Sequence, residues 1–267
     1  MNALTMPLVD GWTIARRNTL KIRRSPDLLG SAIMFPIVFV LMFAYVFGSV
    51  IEVPGVPYKE FLLPGIFVQA VLLSAQVTGY TLTLDLQKGI FDRFRSLPMA
   101  PSAVLIGQTV SDLLMNLASL TVMAGMGLIV GWRVRTSPLE AVLGFALLLL
   151  FAYAFSWFTA TIALVLRTPE SFNNVATMVS FPLMFISNAF LDSSELPAPL
   201  RVVAEWNPIS AFTQAARELF GNTGTAMETS DAWPIQNAVP ASLLWIAVML
   251  LVFVPLATRL YKKAVSS

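Results

Sequence analysis

Long stretches without charged side chains dominate this sequence of 267 residues. Five of them run for 21 to 27 residues, and a sixth, residues 96–132, has Asp112 as its one charged residue. A helix needs about 20 apolar residues to cross the hydrocarbon core of a bilayer, whereas a barrel strand needs only about 10 alternating residues. The sequence therefore predicts an all-α integral membrane protein. Its six expected transmembrane helices are residues 28–51, 61–84, 102–132, 141–166, 171–191 and 235–258.

Composition supports the same fold class and excludes several functions. Only 12% of the residues are charged and 57% are apolar, whereas soluble domains have about 25% and about 45–50%. This composition excludes a disordered chain, a nucleic-acid-binding domain and an ordinary cytosolic enzyme. Histidine and cysteine are absent, which removes catalysis by these residues, disulfides, Cys/His zinc sites and ligation of haem or iron–sulfur clusters. We therefore expect no catalytic residue, metal site or cofactor in this chain.

The lysine and arginine residues predict the orientation in the membrane. Cytoplasmic loops carry an excess of these residues. With the N-terminus in the cytoplasm, the cytoplasmic segments contain 12 of the 17 and the opposite side contains 5. Six spans would place both ends of the chain on the same side. We therefore expect a multi-pass protein whose N- and C-termini are both cytoplasmic.

Residues 1–27 precede the first apolar run and have an amphipathic pattern. Trp12 lies on an apolar stripe, whereas Arg17 and Lys21 lie on the opposite face of the same expected helix. Such a helix suits the lipid headgroup layer, as a cytoplasmic elbow that leads into the first span. A positively charged tail that only sets the topology is the alternative. The expected elbow residues are Trp12, Arg16, Arg17 and Lys21.

The chain has no recognisable means of powering active transport by itself. It contains no GxxxxGK[ST] phosphate-binding loop, and its expected spans hold almost no ionisable side chains. Asp112 is the embedded candidate for a coupling-ion or substrate-cation site, because a carboxylate in a membrane is costly unless it is used. The alternative places Asp112 near the cytoplasmic interface, where it bonds to a neighbouring helix or loop.

The segment between the second and third expected spans combines aromatic and charged residues. Phe91, Phe94 and Leu97 recur at helical spacing and form an apolar edge, and Pro98 ends the expected helix. Such a short cytoplasmic helix suits a groove on a soluble partner, where aromatic side chains bury area and charges fix the register. From the spacing alone, an amphipathic connector that rests on the lipid surface is equally consistent.

Two groups of short motifs stand in a recognisable order. The first comprises Gly89, Asp92, Arg93, Leu97 and Pro98, followed by Gly107 and Asp112. The second comprises Ser187-Asn188-Ala189-Phe190, Leu196-Pro197, Asn207-Pro208 and Ala215-Ala216-Arg217. Together they resemble the ABC-2 type transporter permeases, and in particular the daunorubicin/doxorubicin-resistance branch, over essentially the whole chain. Family members commonly have Gly-x-x-Glu-Arg-Leu-x-x-x-Pro at the first motif, where this chain has Asp92 for the glutamate and Phe94 for the leucine.

The resemblance implies a division of labour between subunits. Residues 88–98 would form a coupling helix that docks on a separate ATPase subunit, and that subunit would bind ATP and Mg²⁺. Family members combine two such ATPases with two permease chains, identical or homologous, so residues 1–267 would form one transmembrane domain. The residues implied in coupling are Lys88, Gly89, Phe91, Asp92, Arg93, Phe94, Arg95, Leu97 and Pro98, with Arg167 and Glu170 as a second cytoplasmic contact.

Residues 192–234 are too many for an unstructured loop and contain two short amphipathic stretches, at 200–204 and 209–220. Asn207-Pro208 predicts the start of the second stretch as a helix. The resemblance implies re-entrant helices that cap the outer end of a transport pathway. Surface helices within an external loop are the alternative.

Amide side chains in or beside the expected spans are candidates for a substrate pathway. Gln69 and Gln76, for example, share one face of the second span. Amides in membrane helices also bond to neighbouring helices, which is the alternative. The candidate pathway residues are Gln69, Gln76, Asn116 and Asn188.

Together these observations predict the membrane-spanning permease subunit of an ATP-driven exporter in a bacterial plasma membrane. Amphipathic drug-like or lipid-like molecules are the expected substrates; membrane lipid, but no nucleic acid, is a further expected partner. A permease for a polysaccharide or a lipid-linked glycan shares the coupling motif and is the nearest alternative. A proton-coupled secondary transporter that uses Asp112 belongs to a different class, and an intramembrane enzyme lacks a plausible catalytic set.

Overall fold

The computed structural model describes residues 34, 37–47, 55–89, 101–166, 168–190, 193, 196–223 and 230–266. All regular elements within these residues are helices, so the described part of the chain confirms the all-α fold. In chain order they are α1 (Ile37–Val46), α2 (Tyr58–Gln87), α3 (Pro101–Val130), α4 (Pro138–Leu166), α5 (Pro169–Phe185), α6 (Ala198–Trp206), α7 (Pro208–Phe220), α8 (Trp233–Gln236) and α9 (Ala238–Ser266). The end of α1 widens into a π-helix at Phe43–Phe47.

Four of these helices are long and apolar enough to cross a membrane. They are α2, α4, the Thr109–Val130 part of α3 and the Ala238–Lys263 part of α9, and they correspond to the second, third, fourth and sixth predicted spans. At the fifth predicted span, α5 has 17 residues and ends at Phe185 rather than at residue 191. The first predicted span is described only in part, by residue 34 and residues 37–47.

Prolines and capping side chains set where several helices begin. Pro169 and Pro208 occupy the first turns of α5 and α7, where the missing N–H removes no helical hydrogen bond. Thr168 caps α5 and Asn207 caps α7, each through a side-chain oxygen that accepts a hydrogen bond from a backbone N–H of the first turn. The predicted start of a helix at Asn207-Pro208 is therefore confirmed.

α2 is the most buried of the long helices. In its most apolar window 72% of the residues are buried, against 50% for α4, 28% for α3 and 17% for α9. It packs against α3, α4, α5 and α7. The main hydrophobic core forms around these contacts and includes Phe67, Phe151 and Phe212. Polar side chains on α2 are therefore placed inside the protein rather than against lipid.

A second, smaller core joins the C-terminal parts of α2 and α4 to the start of α5 and the end of α9. It includes Leu82, Trp157, Phe172 and Tyr261. Phe172 lies directly over Gly79 of α2, and a Cβ atom at residue 79 would come within 2.2 Å of the Phe172 ring. α5 can approach α2 this closely because residue 79 has no side chain.

Candidate functional site

The chain leaves the helical conformation at the end of α5. Ile186 has φ −92° and ψ 59°, and residues 186–190 contain no regular helix. The last carbonyls of a helix have no partners within it, and non-helical backbone at membrane depth is tolerated only where the protein satisfies its polar groups. We refer to residues 183–190, the last turn of α5 and the residues that follow it, as the terminal segment.

Side chains from elsewhere in the fold donate hydrogen bonds to the carbonyls of the terminal segment. These bonds run from Asn207 Nδ2 to Leu183 (2.9 Å) and Ile186, from Gln69 Nε2 to Met184 (3.3 Å), from Arg217 Nη2 to Asn188 (2.8 Å) and Ala189 (3.2 Å), and from the Tyr58 hydroxyl to Phe190 (3.2 Å). The donors belong to α2, to α7 and to the cap of α7. The non-helical backbone is thus satisfied by tertiary contacts rather than by a continued helix, which explains why α5 ends before residue 191.

Arg217 makes the most extensive of these contacts although it is fully buried. Its Nε donates to the carbonyl of Phe61 at 2.9 Å, and its guanidinium carbon lies 3.5 Å from the centroid of the Phe61 ring. A buried charge is tolerated only with such compensation, which carbonyl dipoles and an aromatic face supply here. Arg217 therefore ties α7 both to α2 and to the terminal segment.

The backbones of α2 and the terminal segment also lie in close contact. A Cβ atom at Gly65 would come within 2.2 Å of the Ala189 carbonyl oxygen. On the other side of the segment, the Asn188 N–H donates to the Ser210 hydroxyl of α7 at 3.0 Å. The terminal segment is therefore enclosed between α2 and α7.

Two of the predicted pathway residues, Gln69 and Asn188, meet at this segment. Asn188 is buried, and neither its side-chain oxygen nor its side-chain nitrogen has a hydrogen-bond partner among the described residues. The Gln69 side chain donates to Met184, whereas its Oε1 accepts nothing from the described residues. Buried amide atoms without hydrogen-bond partners are uncommon and costly.

The structure does not bring the other two predicted pathway residues to this place. Gln76 lies two turns further along α2 and is half-buried. Asn116 of α3 is buried and donates to the carbonyl of Asp112, one turn earlier in the same helix, at 2.9 Å. The side chain of Asp112 is half-buried on α3.

A second polar cluster fastens the turn after α3 to α2 and to the end of α7. Glu60 is only 3% exposed and accepts two hydrogen bonds from Arg135, at 2.7 and 3.0 Å. This contact raises the pKa of the Arg135 guanidinium, chiefly through the hydrogen bond with Glu60 and also through its charge. Asn222 donates to Glu60 at 3.4 Å and to the Arg133 carbonyl at 2.9 Å, and it accepts from the Trp132 indole at 2.8 Å.

The sequence did not predict the bonds that Tyr58 and Arg217 make to the terminal segment, or the cluster around Glu60. Arg217 is part of a family motif in the sequence analysis, where Glu60 and Tyr58 have no predicted role. α7 is amphipathic and also contains Ser210, Thr213, Gln214 and Glu218, so the local sequence gives no signal that Arg217 is buried. Within the part of the chain that the structure describes, no group of acidic side chains is arranged to hold a metal ion.

The predicted coupling residues are described only at their start. Lys88 and Gly89 end α2, and their N–H groups donate to the carbonyls of Leu84 (3.0 Å) and Leu86 (3.1 Å). Gly89 has φ +62°, the left-handed conformation that commonly terminates a helix. Glu170 is exposed in the first turn of α5. The other coupling residues (Phe91, Asp92, Arg93, Phe94, Arg95, Leu97 and Pro98), Arg167, and the elbow residues Trp12, Arg16, Arg17 and Lys21 lie outside the described residues.

Comparison with known proteins identifies relatives along most of the chain. The daunorubicin resistance ABC transporter permease protein DrrB1 of Streptomyces coeruleorubidus is 32% identical over 246 residues, which are 92% of this chain and 83% of that protein. The doxorubicin resistance ABC transporter permease protein DrrB of Mycobacterium tuberculosis is 24% identical over 232 residues, 84% and 80% of the two chains. The putative transport permease ycf38 of Cyanophora paradoxa is 20% identical over 224 residues, 82% and 77% of the two chains.

The family match covers the same part of the chain. Residues 10–220 match the ABC-2 type transporter family, and this range includes both groups of motifs on which the resemblance was based. The relatives are permease proteins, and several apolar helices of this chain are long enough to cross a membrane. The chain is accordingly a membrane permease component rather than an enzyme, and it belongs to the ABC-2 type transporter family.

Proposed function

We propose that this chain is the membrane-spanning permease subunit of an ATP-driven exporter that moves amphipathic drug-like or lipid-like molecules out of a bacterial cell. The observation that carries the proposal is its similarity to the daunorubicin resistance permease DrrB1 over 92% of the chain. The chain contains no phosphate-binding loop, so ATP and Mg²⁺ would bind to a separate ATPase subunit.

In this proposal two permease copies, identical or homologous, work with two ATPase subunits in the bacterial plasma membrane. Two further spans would bring the four long apolar helices to six: one at residues 28–51, and one formed by α5 with the terminal segment. Both termini lie in the cytoplasm, and residues 1–27 form an elbow on the inner leaflet. α6 and α7 lie at the outer end as re-entrant helices. The 12-to-5 distribution of lysine and arginine supports this orientation.

α2 connects the two ends of this arrangement. It runs without a break for 30 residues, about 45 Å at 1.5 Å per residue. At its cytoplasmic end, Lys88 and Gly89 lead into the coupling segment, and at its outer end Phe61 contacts Arg217. Force from an ATPase that docks on residues 88–98 would reach the external helices through α2. The close packing of Phe172 on Gly79 supports a second route for this force. In it, an ATPase that contacts Arg167 and Glu170 would move α5 together with α2.

The transport pathway is proposed to run along α2 and the terminal segment, past Gln69 and Asn188. Their unpartnered amide atoms supply donors and acceptors for the polar groups of an amphipathic substrate. Gln76 continues the same face of α2 toward the cytoplasm, and Asn116 of α3 is proposed as a further residue of the pathway.

A vesicle assay tests the exporter proposal. Inverted membrane vesicles that contain the chain and its ATPase subunit are incubated with daunorubicin, and accumulation is followed by fluorescence quenching. We expect accumulation that requires ATP, the chain and a hydrolytically competent ATPase. Accumulation driven by a proton gradient without the ATPase, and abolished by Asp112→Asn, would instead support the secondary transporter. Robust ATP hydrolysis by the purified chain alone would overturn the assignment.

A lipid-linked glycan permease is tested in the same membranes. If neither daunorubicin nor a fluorescent lipid accumulates, while deletion of the chain removes a surface glycan from intact cells, the substrate class proposed here is wrong. The ABC-2 family membership would stand in either case.

The coupling segment is tested by co-purification of the ATPase. Arg93→Glu and Phe94→Ala should each weaken recovery of the ATPase while the chain still inserts into the membrane. Lys262→Glu, an exposed charge reversal near the end of α9, is the matched control and should leave recovery unchanged. Equal recovery with all three variants would contradict the assignment of residues 88–98.

A further inference from the structure

A groove of about 660 Å³ lies between α6 and the start of α8. Its volume falls within the range of about 300–1,000 Å³ that is typical of small-molecule sites. Two tryptophans line it, Trp206 of α6 and Trp233 of α8, and they are 58% and 47% exposed. Each tryptophan therefore leaves a large part of its indole ring accessible from the groove.

Two carboxylates lie in the same groove. Glu205 is 8% exposed, and its hydrogen bonds from Arg201 Nε and Ser230 Oγ, both 2.9 Å, end on Oε1. Its Oε2 accepts no hydrogen bond from the described residues. Asp231 is exposed beside Trp233 in the sequence and lines the groove as well. The groove carries one net negative charge, which is the sum over the side chains of Arg201, Glu205 and Asp231.

No further charge lies along the groove among the residues that the structure describes there. Arg217, the other described arginine of this part of the chain, is buried against Phe61 and does not line the groove. The groove therefore attracts a cation and repels an anion.

An apolar groove adjoins the charged one. It has a volume of about 350 Å³ and lies between the end of α5 and α6, where Leu183, Ile186 and Val203 line it. Trp206 borders both grooves. A ligand whose charged end lies in the larger groove can therefore place an apolar body across Trp206 into the smaller one.

We propose that the two grooves form a binding site for amphipathic organic ammonium compounds. The ammonium group lies against the indole faces of Trp206 and Trp233, since tryptophan attracts cations more strongly than other aromatic residues do. The net negative charge left by Arg201, Glu205 and Asp231 compensates its charge, and the apolar part contacts the smaller groove. The inference rests on the proposed function, because it takes such a compound to be a transported substrate that leaves through this site.

The charge of the site favours a soluble ammonium compound over a lipid headgroup. A zwitterionic phospholipid carries a phosphate close to its ammonium group. The net negative charge of the groove would repel that phosphate, whereas a compound whose sole charge is the ammonium group meets no such opposition.

Equilibrium dialysis tests the site on the full-length chain. The purified protein is placed in phosphatidylglycerol nanodiscs with benzyltrimethylammonium as the probe, and binding to empty nanodiscs is subtracted. We expect Trp206→Leu and Trp233→Leu to weaken binding about threefold to tenfold, because leucine keeps an apolar surface but offers no π face. Asp231→Asn and Glu205→Gln should weaken it as well. Glu140→Gln and Trp245→Leu, which change the same residue types outside the groove, should bind like the unaltered protein.

Three results would overturn the inference. In the first, the groove variants bind the probe as the controls do. In the second, benzyl alcohol, which has the same ring without the charge, binds as tightly as the probe. In the third, half-replacement of the lipid by phosphatidylethanolamine would abolish probe binding, which would assign the groove to lipid headgroups. The binding assay needs no ATPase. A negative binding result therefore does not contradict ATP-driven export, and a negative export result does not contradict binding in the groove.

Discussion

The guanidinium of Arg217 lies 3.5 Å from the centroid of the Phe61 ring, and its Nε donates a hydrogen bond to the carbonyl of the same residue at 2.9 Å. One side chain of α7 thus holds both the ring and the backbone of one residue near the start of α2. Through Nη2 it also reaches two carbonyls of the terminal segment. The ends of three helices, α2, α5 and α7, are fixed relative to one another by this residue.

Replacing Arg217 should therefore destabilise the protein strongly. Arg217→Met keeps much of the side-chain volume but removes the donors to three buried carbonyls, and each unsatisfied group costs about 1–3 kcal/mol. We expect the free energy of unfolding in detergent to fall by at least about 3 kcal/mol, measured as a lower thermal midpoint. Arg133→Met, at an exposed arginine on the same side, is the control. Equal shifts for both variants would contradict the role of Arg217.

The close approach of Gly65 to the terminal segment predicts intolerance of any side chain. In Gly65→Ala the new methyl group would lie 2.2 Å from the Ala189 carbonyl oxygen, so that backbone must move. Gly125→Ala in α3 is the matched control, since nothing lies within 4 Å of its Cβ position. We expect the first variant to lower the thermal midpoint and the second to leave it unchanged or raise it slightly. The reverse order would show that the two backbones are not in contact.

The cluster around Glu60 predicts a pH-dependent defect. Asn222→Asp replaces the amide that donates to Glu60 and to the Arg133 carbonyl with a carboxylate that repels both. The pKa of the new carboxyl is raised in the folded state, so the loss of stability is present at neutral pH and recedes as the pH falls through that raised value. Thermal midpoints between neutral and mildly acidic pH measure it. Asn237→Asp, at a half-buried position, should show no such recovery.

Substitution of Asn188 distinguishes a role of this residue in the pathway from a role in stability. Its side chain makes no hydrogen bond to the described residues, so Asn188→Leu should not lower the thermal midpoint, yet it should reduce daunorubicin accumulation in the vesicle assay. Asn207→Leu should instead lower the midpoint, because this amide bonds Leu183, Ile186 and the first turn of α7. A destabilised Asn188→Leu protein, or one with unchanged transport, would argue against the pathway.

Local sequence patterns predicted the elements whose causes are local. Four long apolar runs became four helices able to span a membrane, and Asn207-Pro208 began α7 as predicted. Local composition failed where tertiary contacts decide the conformation. The apolar run of the fifth predicted span continues to residue 191, but α5 ends at Phe185 because donors from α2 and α7 replace its helical hydrogen bonds.

Two further residues show the same limit. Arg217 has the charge of a surface residue, and its burial depends on carbonyls 28, 29 and 156 positions earlier in the chain, which no periodicity encodes. The amphipathic pattern around Val203 predicted a helix and α6 is one, but its apolar side is exposed in the isolated chain. A pattern of this kind identifies the helix without identifying what covers it.

The terminal segment is held by its main chain, and this has an evolutionary consequence. Every amino acid carries the same carbonyl group, so the hydrogen bonds from Asn207, Gln69, Arg217 and Tyr58 do not depend on which side chains occupy the segment. In the proposed pathway, substitutions at Ile186 or Asn188 would therefore alter the surface that a cargo molecule meets while the tether persists. Such a permease would be able to change its cargo preference by point mutation without having to refold.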